Sequence, residues 1–86
     1  MKVLMKPIEM IVCFTHEGIP NPIKYKMATE EQFNIIKVDK ILSREEEKLA
    51  GNRMILYKCQ SVIDGVEKLY EIKYELNTCK WYLYKM

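Results

Sequence analysis

Eighty-six residues with a formal net charge of +2 are enough for one domain and too few for two. At 49% hydrophobic and 30% charged residues, the chain has the apolar content to build a core, which excludes a disordered tail. The small net charge makes no case for nucleic acid by itself, and no run approaches the ~20 apolar residues of a membrane helix.

Residues 1–6 read as a loose leader. Pro7 and Glu9 break the apolar run that follows Lys2, and no small-residue cleavage site comes after it, so no secretion signal is expected. From 8 to 15, Ile8, Met10, Val12 and Phe14 alternate with Glu9, Ile11, Cys13 and Thr15. Both sets are fairly apolar, which suits a strand buried on two sides. Residues 16–22 form a loop punctuated by Gly18, Pro20 and Pro22. Ile23, Tyr25 and Met27 then alternate with Lys24 and Lys26 in a second strand, and 29–32 make a polar connection.

Residues 33–42 are again rich in β-formers, but the parity changes near Ile35-Ile36 and again near Lys40-Ile41, which implies a bulge or a strong bend. Ser43 with Glu46 three residues later has the form of a capping box. Acids in the first turn, Lys48 in the last and Gly51 just beyond suit a short helix over about 44–50, held between the third and fourth strands.

The rest of the chain is organised around Asp64-Gly65. This pair lies between two alternating apolar runs, 53–63 and 66–76, and favours the two positive φ angles of a type I′ hairpin turn. With a two-residue loop, partner numbers sum to 129. One face collects Ile55, Tyr57, Cys59 and Ile63 against Val66, Tyr70, Ile72, Tyr74 and Leu76. The other sets Lys58 opposite Glu71, a favourable cross-strand pair. A final strand over 79–85 places Trp81 opposite Tyr74 and Leu83 opposite Ile72. Its connection is Asn77-Thr78 or a four-residue loop of the same parity. The expectation is an all-β single domain over 1–86. It is a six-stranded antiparallel meander, coiled into a small barrel or half-barrel, with one short helix.

The run Val38 to Met54, continued through Tyr57, Cys59-Gln60-Ser61, Tyr70, Tyr74 and Trp81, resembles short uncharacterised proteins of anaerobic Firmicutes. The resemblance covers most of the chain from Pro7 onward, implies a bacterial source and brings no activity with it. A weaker similarity links Pro7-Ile8, Pro22 to Tyr25 and Phe33 to Ile35 with a small domain of unknown function found beside translesion polymerases.

Chemistry-bearing residues are few. His16, the sole histidine, has no nucleophile placed with it and reads as a solvated loop residue. Cys13, Cys59 and Cys79 match no zinc spacing. The paired strands put Cys59 and Cys79 on the core face roughly 20 Å apart, beyond disulfide reach. Free thiols fit a reducing cytoplasm. Glu45, Glu46 and Glu47 fan out over a helix and cannot converge on a cation. No catalytic set, metal site or cofactor is therefore expected.

The remaining feature is a mixed sheet face. Lys58, Glu71 and Tyr84 form one cross-strand row on it, and Leu56, Lys73 and Tyr82 another, with Lys80 beside them. Leu56, Met54, Leu69, Tyr82, Tyr84 and Met86 give it apolar area, which usually marks an interface. This points to a non-catalytic interaction module for an unknown protein partner or for a second copy in a homodimer. The alternative is a nucleic-acid-associated small barrel, since bases stack on tyrosine and phosphates meet lysine. Glu67, Glu71 and Glu75 share that face and oppose it.

Overall fold

A computed structural model describes residues 1–28 and 34–86. The 29–32 connection and Phe33 lie outside the described residues. The chain forms seven strands: β1 (Val3–Phe14), β2 (Pro20–Met27), β3 (Ile36–Lys37), β4 (Lys40–Leu49), β5 (Asn52–Ile63), β6 (Val66–Glu75) and β7 (Lys80–Lys85). They make one antiparallel sheet in the order β3-β2-β1-β7-β6-β5-β4. No helix among the described residues is long and apolar enough to cross a membrane.

The β5–β6 hairpin follows the register set by its turn. Lys58 pairs with Glu71, Tyr57 with Ile72 and Ile63 with Val66. Asp64 and Gly65 take φ of 50° and 76°, the left-handed pair a type I′ turn demands. The β6–β7 connection is the four-residue form: Glu75 pairs with Lys80, and the Cys79 amide donates to the Glu75 carbonyl. Tyr74 faces Trp81 and Ile72 faces Leu83 as expected. Cys79 departs from expectation. It ends the loop at φ 59° and is exposed, not part of the core.

The expected helix at 44–50 is a strand. Residues 43–49 pair one-to-one with β5, Ser43 with Lys58 and Leu49 with Asn52. Ala50 and Gly51, at φ 50° and 84°, form another two-residue turn of left-handed residues. Ser43, the acids and Gly51 are compatible with a helix taken alone. The long ladder offered by β5 overrides that weak local preference. Replacing Ala50 by Asn separates the two conformations by sign. Asn tolerates positive φ and is a poor helix residue, so Ala50→Asn is expected to raise the unfolding free energy by about 0.5–1 kcal/mol in urea melts. A loss would favour the helix.

The third expected strand divides into β3 and β4, which explains the parity changes and raises the count from six to seven. β3 pairs with β2 at one sheet edge, Tyr25 against Ile36. Two residues later the chain starts β4 at the opposite edge. The Val38 amide donates to the Ile23 carbonyl (2.9 Å) and the Asp39 amide to the Gln60 carbonyl (3.0 Å). This crossing ties the two edges together and curls the sheet into a half-barrel closed at one end. A bulge between Ile41 and Ser43 follows at once. The leader is also strand. β1 starts at Val3, and Lys2 and Met86 exchange both backbone hydrogen bonds (3.1 and 3.2 Å).

The inner face is unusually aromatic. Tyr25, Tyr57, Tyr70, Tyr74 and Trp81 pack with Ile8, Cys59, Ile72 and Leu83. Trp81 lies 4.6 Å from the Tyr74 ring and 5.6 Å from that of Tyr57. The Tyr70 hydroxyl is satisfied at the closed end, whereas the Tyr25 hydroxyl is buried without a hydrogen-bond partner among the described residues. Ser61, fully buried, donates to the Lys37 carbonyl (2.6 Å) and shares a hydrogen bond with the Tyr70 hydroxyl (2.6 Å).

Candidate functional site: the open seam between β2 and β4

The mixed face is where β5, β6 and β7 were expected to put it, but it is less available than the sequence implies. Leu56, Lys73 and Tyr82 do form one cross-strand row. Glu71 meets Lys85 rather than Tyr84, because the register shifts between Glu71 and Ile72. Leu56 and Lys73 are buried, Tyr82 and Tyr84 are half-buried, and Lys58 and Lys80 are exposed. The Lys73 ammonium is engaged on two sides, 3.1 Å from the Glu47 carboxylate and 3.8 Å from the centre of the Tyr84 ring. That lysine is held inside the protein's own ladder, so it has little left for a phosphate. Correcting 44–50 to a strand is what brings Glu47 there.

A different concavity appears on the inner side. Past the crossing at 38–39, β2 and β4 stand apart, and among the described residues β4 contacts no strand but β5. The resulting seam is a cleft of about 420 Å³. Gly18, Ile19 and Pro20 form one wall, Arg44, Glu46, Arg53 and Ile55 the other, and Phe14, Tyr74 and Leu76 the base. A second hollow of about 540 Å³ lies across Phe14 and Tyr74, with Val12, Cys79, Lys80 and Trp81 around it. Phe14 is exposed between the two.

Pairing explains how these side chains converge. Arg44 faces Tyr57 and Glu46 faces Ile55, so alternate β4 residues share the inner face with β5. Arg53 clamps Glu46 through Nε (2.7 Å) and Nη2. The Tyr57 hydroxyl crosses the seam and donates to the Pro20 carbonyl. Burial pushes that hydroxyl up to about 12, and the Arg44 guanidinium nearby pulls against the rise. No carboxylate pairs with Arg44 among the described residues. On the outer face, hydrogen bonds from Thr78 and Asn52 hold the Glu75 carboxyl below the usual range.

His16 is exposed in the β1–β2 turn, and Cys13 is exposed on β1. Cys59 is buried, and desolvation lifts its thiol to about 12, so it stays protonated and inert. Among the described residues no three metal-ligating side chains converge. Sequence reasoning missed Phe14, Pro20, Arg44, Arg53 and Tyr74 as one site. The available signal was Ala50-Gly51 read as a hairpin turn, which would have set Arg44 and Glu46 on the face of Tyr57 and Ile55. The chain matches no family model, no curated protein and no solved structure, so the seam's own geometry carries the functional reading.

Proposed function

We propose that this chain is a non-catalytic interaction module that takes a protein partner in the seam between β2 and β4. The observation that carries the reading is β4 itself, a strand with a partner on one side and an apolar, arginine-bearing cleft beside it. Unpaired strand edges are templates for another chain. Catalysis is disfavoured by the lining. Its carboxylate, Glu46, is occupied by Arg53, and no thiol or imidazole joins it. Three free thiols support the cytoplasm as its compartment.

Selection of random peptides displayed on phage, followed by amide shift mapping, tests this. Enriched peptides are expected to shift the amides of Phe14, Arg44 and Arg53 and to bind a Phe14→Ala, Arg44→Glu double variant at least about tenfold more weakly. Shifts concentrated on Lys58, Lys73, Tyr82 and Tyr84 would return the interface to the mixed face. Oligonucleotide binding that weakens steeply with salt would instead favour the nucleic-acid reading.

A further inference from the structure

The geometry points to the form of that partner: an extended segment that adds to β4 as an antiparallel eighth strand, with a carboxylate meeting Arg44 on the inner side and a basic residue meeting Glu45 on the outer side. This rests on the seam being the binding site. It goes further in fixing backbone pairing and charge order.

The two-residue turn makes Leu49 and Asn52 the closing hydrogen-bonded pair of the β4–β5 hairpin. Because such pairs alternate, Glu47 and Glu45 also turn their backbone groups toward β5. Arg44, Glu46 and Lys48 then present their N–H and C=O to the open edge. Two of these three, Arg44 and Glu46, also line the cleft. A strand docked there would bond to the backbone of the residues whose side chains face the cavity. Every second side chain of the incoming strand would point inward beside Phe14 and Tyr74.

The charges on β4 are unequally satisfied. Glu46 is taken by Arg53 and Glu47 by Lys73. Arg44 on the inner side and Glu45 on the outer side have no ion-pair partner among the described residues. What β4 offers across its edge is thus positive inside and negative outside at adjacent positions. The complementary strand carries acid inside and base outside. A second copy fits poorly. In an antiparallel two-fold pairing that keeps both inner faces on one side, one residue must oppose its own copy. At every position from 44 to 48 that residue is charged, Arg44 through Lys48, and like charges directly opposed are unfavourable.

The test uses the full chain and a capped synthetic peptide, Glu-Thr-Val-Lys-Glu-Thr, which sets Val opposite Glu46, Lys opposite Glu45 and Glu opposite Arg44. Titration is followed by fluorescence anisotropy of the labelled peptide. Transposing its Lys and second Glu, or N-methylating its Val, is expected to weaken binding at least about tenfold. An Arg44→Glu, Glu45→Lys protein is expected to prefer the transposed peptide. These substitutions are on exposed side chains, and the N-methyl control leaves the protein untouched. Equal binding of the N-methylated peptide would overturn strand addition. Indifference to transposition, or no binding of any of these peptides, would overturn the charge order. Phage-selected peptides that still map to the seam would leave the site itself standing. A sedimenting dimer that Arg44→Glu dissociates would overturn the proposal in favour of a second copy.

Discussion

Replacing Trp81 by alanine is expected to lower the unfolding free energy by about 3–5 kcal/mol, a large share of the 5–15 kcal/mol typical of a domain. Trp81 sits on β7, the middle strand of the order, and pairs with Ile8 on one side and Tyr74 on the other. Its ring is 6% exposed and packs tilted against both Tyr74 and Tyr57. Truncation removes a large buried area and leaves a cavity that a sheet tied at both termini cannot readily collapse. The same ring borders the second hollow beside the seam, so any peptide binding should weaken along with stability. Tyr82→Ala is the internal control, on the next residue but the opposite face and only half-buried, and should cost clearly less. Urea midpoints with near-ultraviolet circular dichroism give both values. A loss below about 1 kcal/mol for Trp81→Ala would mean that the aromatic stack is not the core.

The C-terminal meander was legible because its information is local. Asp64-Gly65 needs no distant partner to prefer positive φ, and alternation on either side then fixes which of Tyr57, Cys59, Tyr70 and Ile72 turn inward. β4 was not legible for the opposite reason. Its residues are individually content in a helix, and the term that decides is pairing with β5. The parity breaks around 35–41 were visible, yet alternation cannot say that a chain leaves one sheet edge and arrives at the other. Nor does anything within residues 1–6 announce that Lys2 will pair with Met86. The candidate site inherits these limits. Lys73 looks available from spacing alone and becomes engaged once β4 brings Glu47 against it. The seam exists only because residues 38–39 cross from β2 to β5, leaving β2 and β4 apart beyond that point.

Stability should also fall steeply at alkaline pH, beginning near pH 9. The cause lies in the polar tips of the core. Burial raises the Cys59 thiol from 9.0 to about 12 and the Tyr57 hydroxyl from 10.0 to about 12. Tyr25 and Tyr70 are raised too, chiefly by desolvation; the Ser61 hydrogen bond offsets part of the rise at Tyr70. Each group is neutral when protonated, so the folded state keeps its proton longer than the unfolded chain does. Below pH 9 both states hold these protons and the full stability is present. As pH passes 9 for the thiol and 10 for the phenols, the unfolded chain releases protons that the folded chain retains. The slope is then negative, up to about 1.4 kcal/mol per pH unit for each group, until the folded values are reached. Circular dichroism and 295 nm absorbance on one sample give the test, because buried tyrosines should ionise only as the fold is lost. Tyr57→Phe removes one titrating group along with the hydrogen bond to Pro20. It should be less stable than the parent at pH 7 by about 1 kcal/mol and should close that gap as the pH approaches 12. Tyrosinate absorbance rising to completion near pH 10 with the dichroism unchanged would show that these hydroxyls reach water and would remove the argument for a dry aromatic interior.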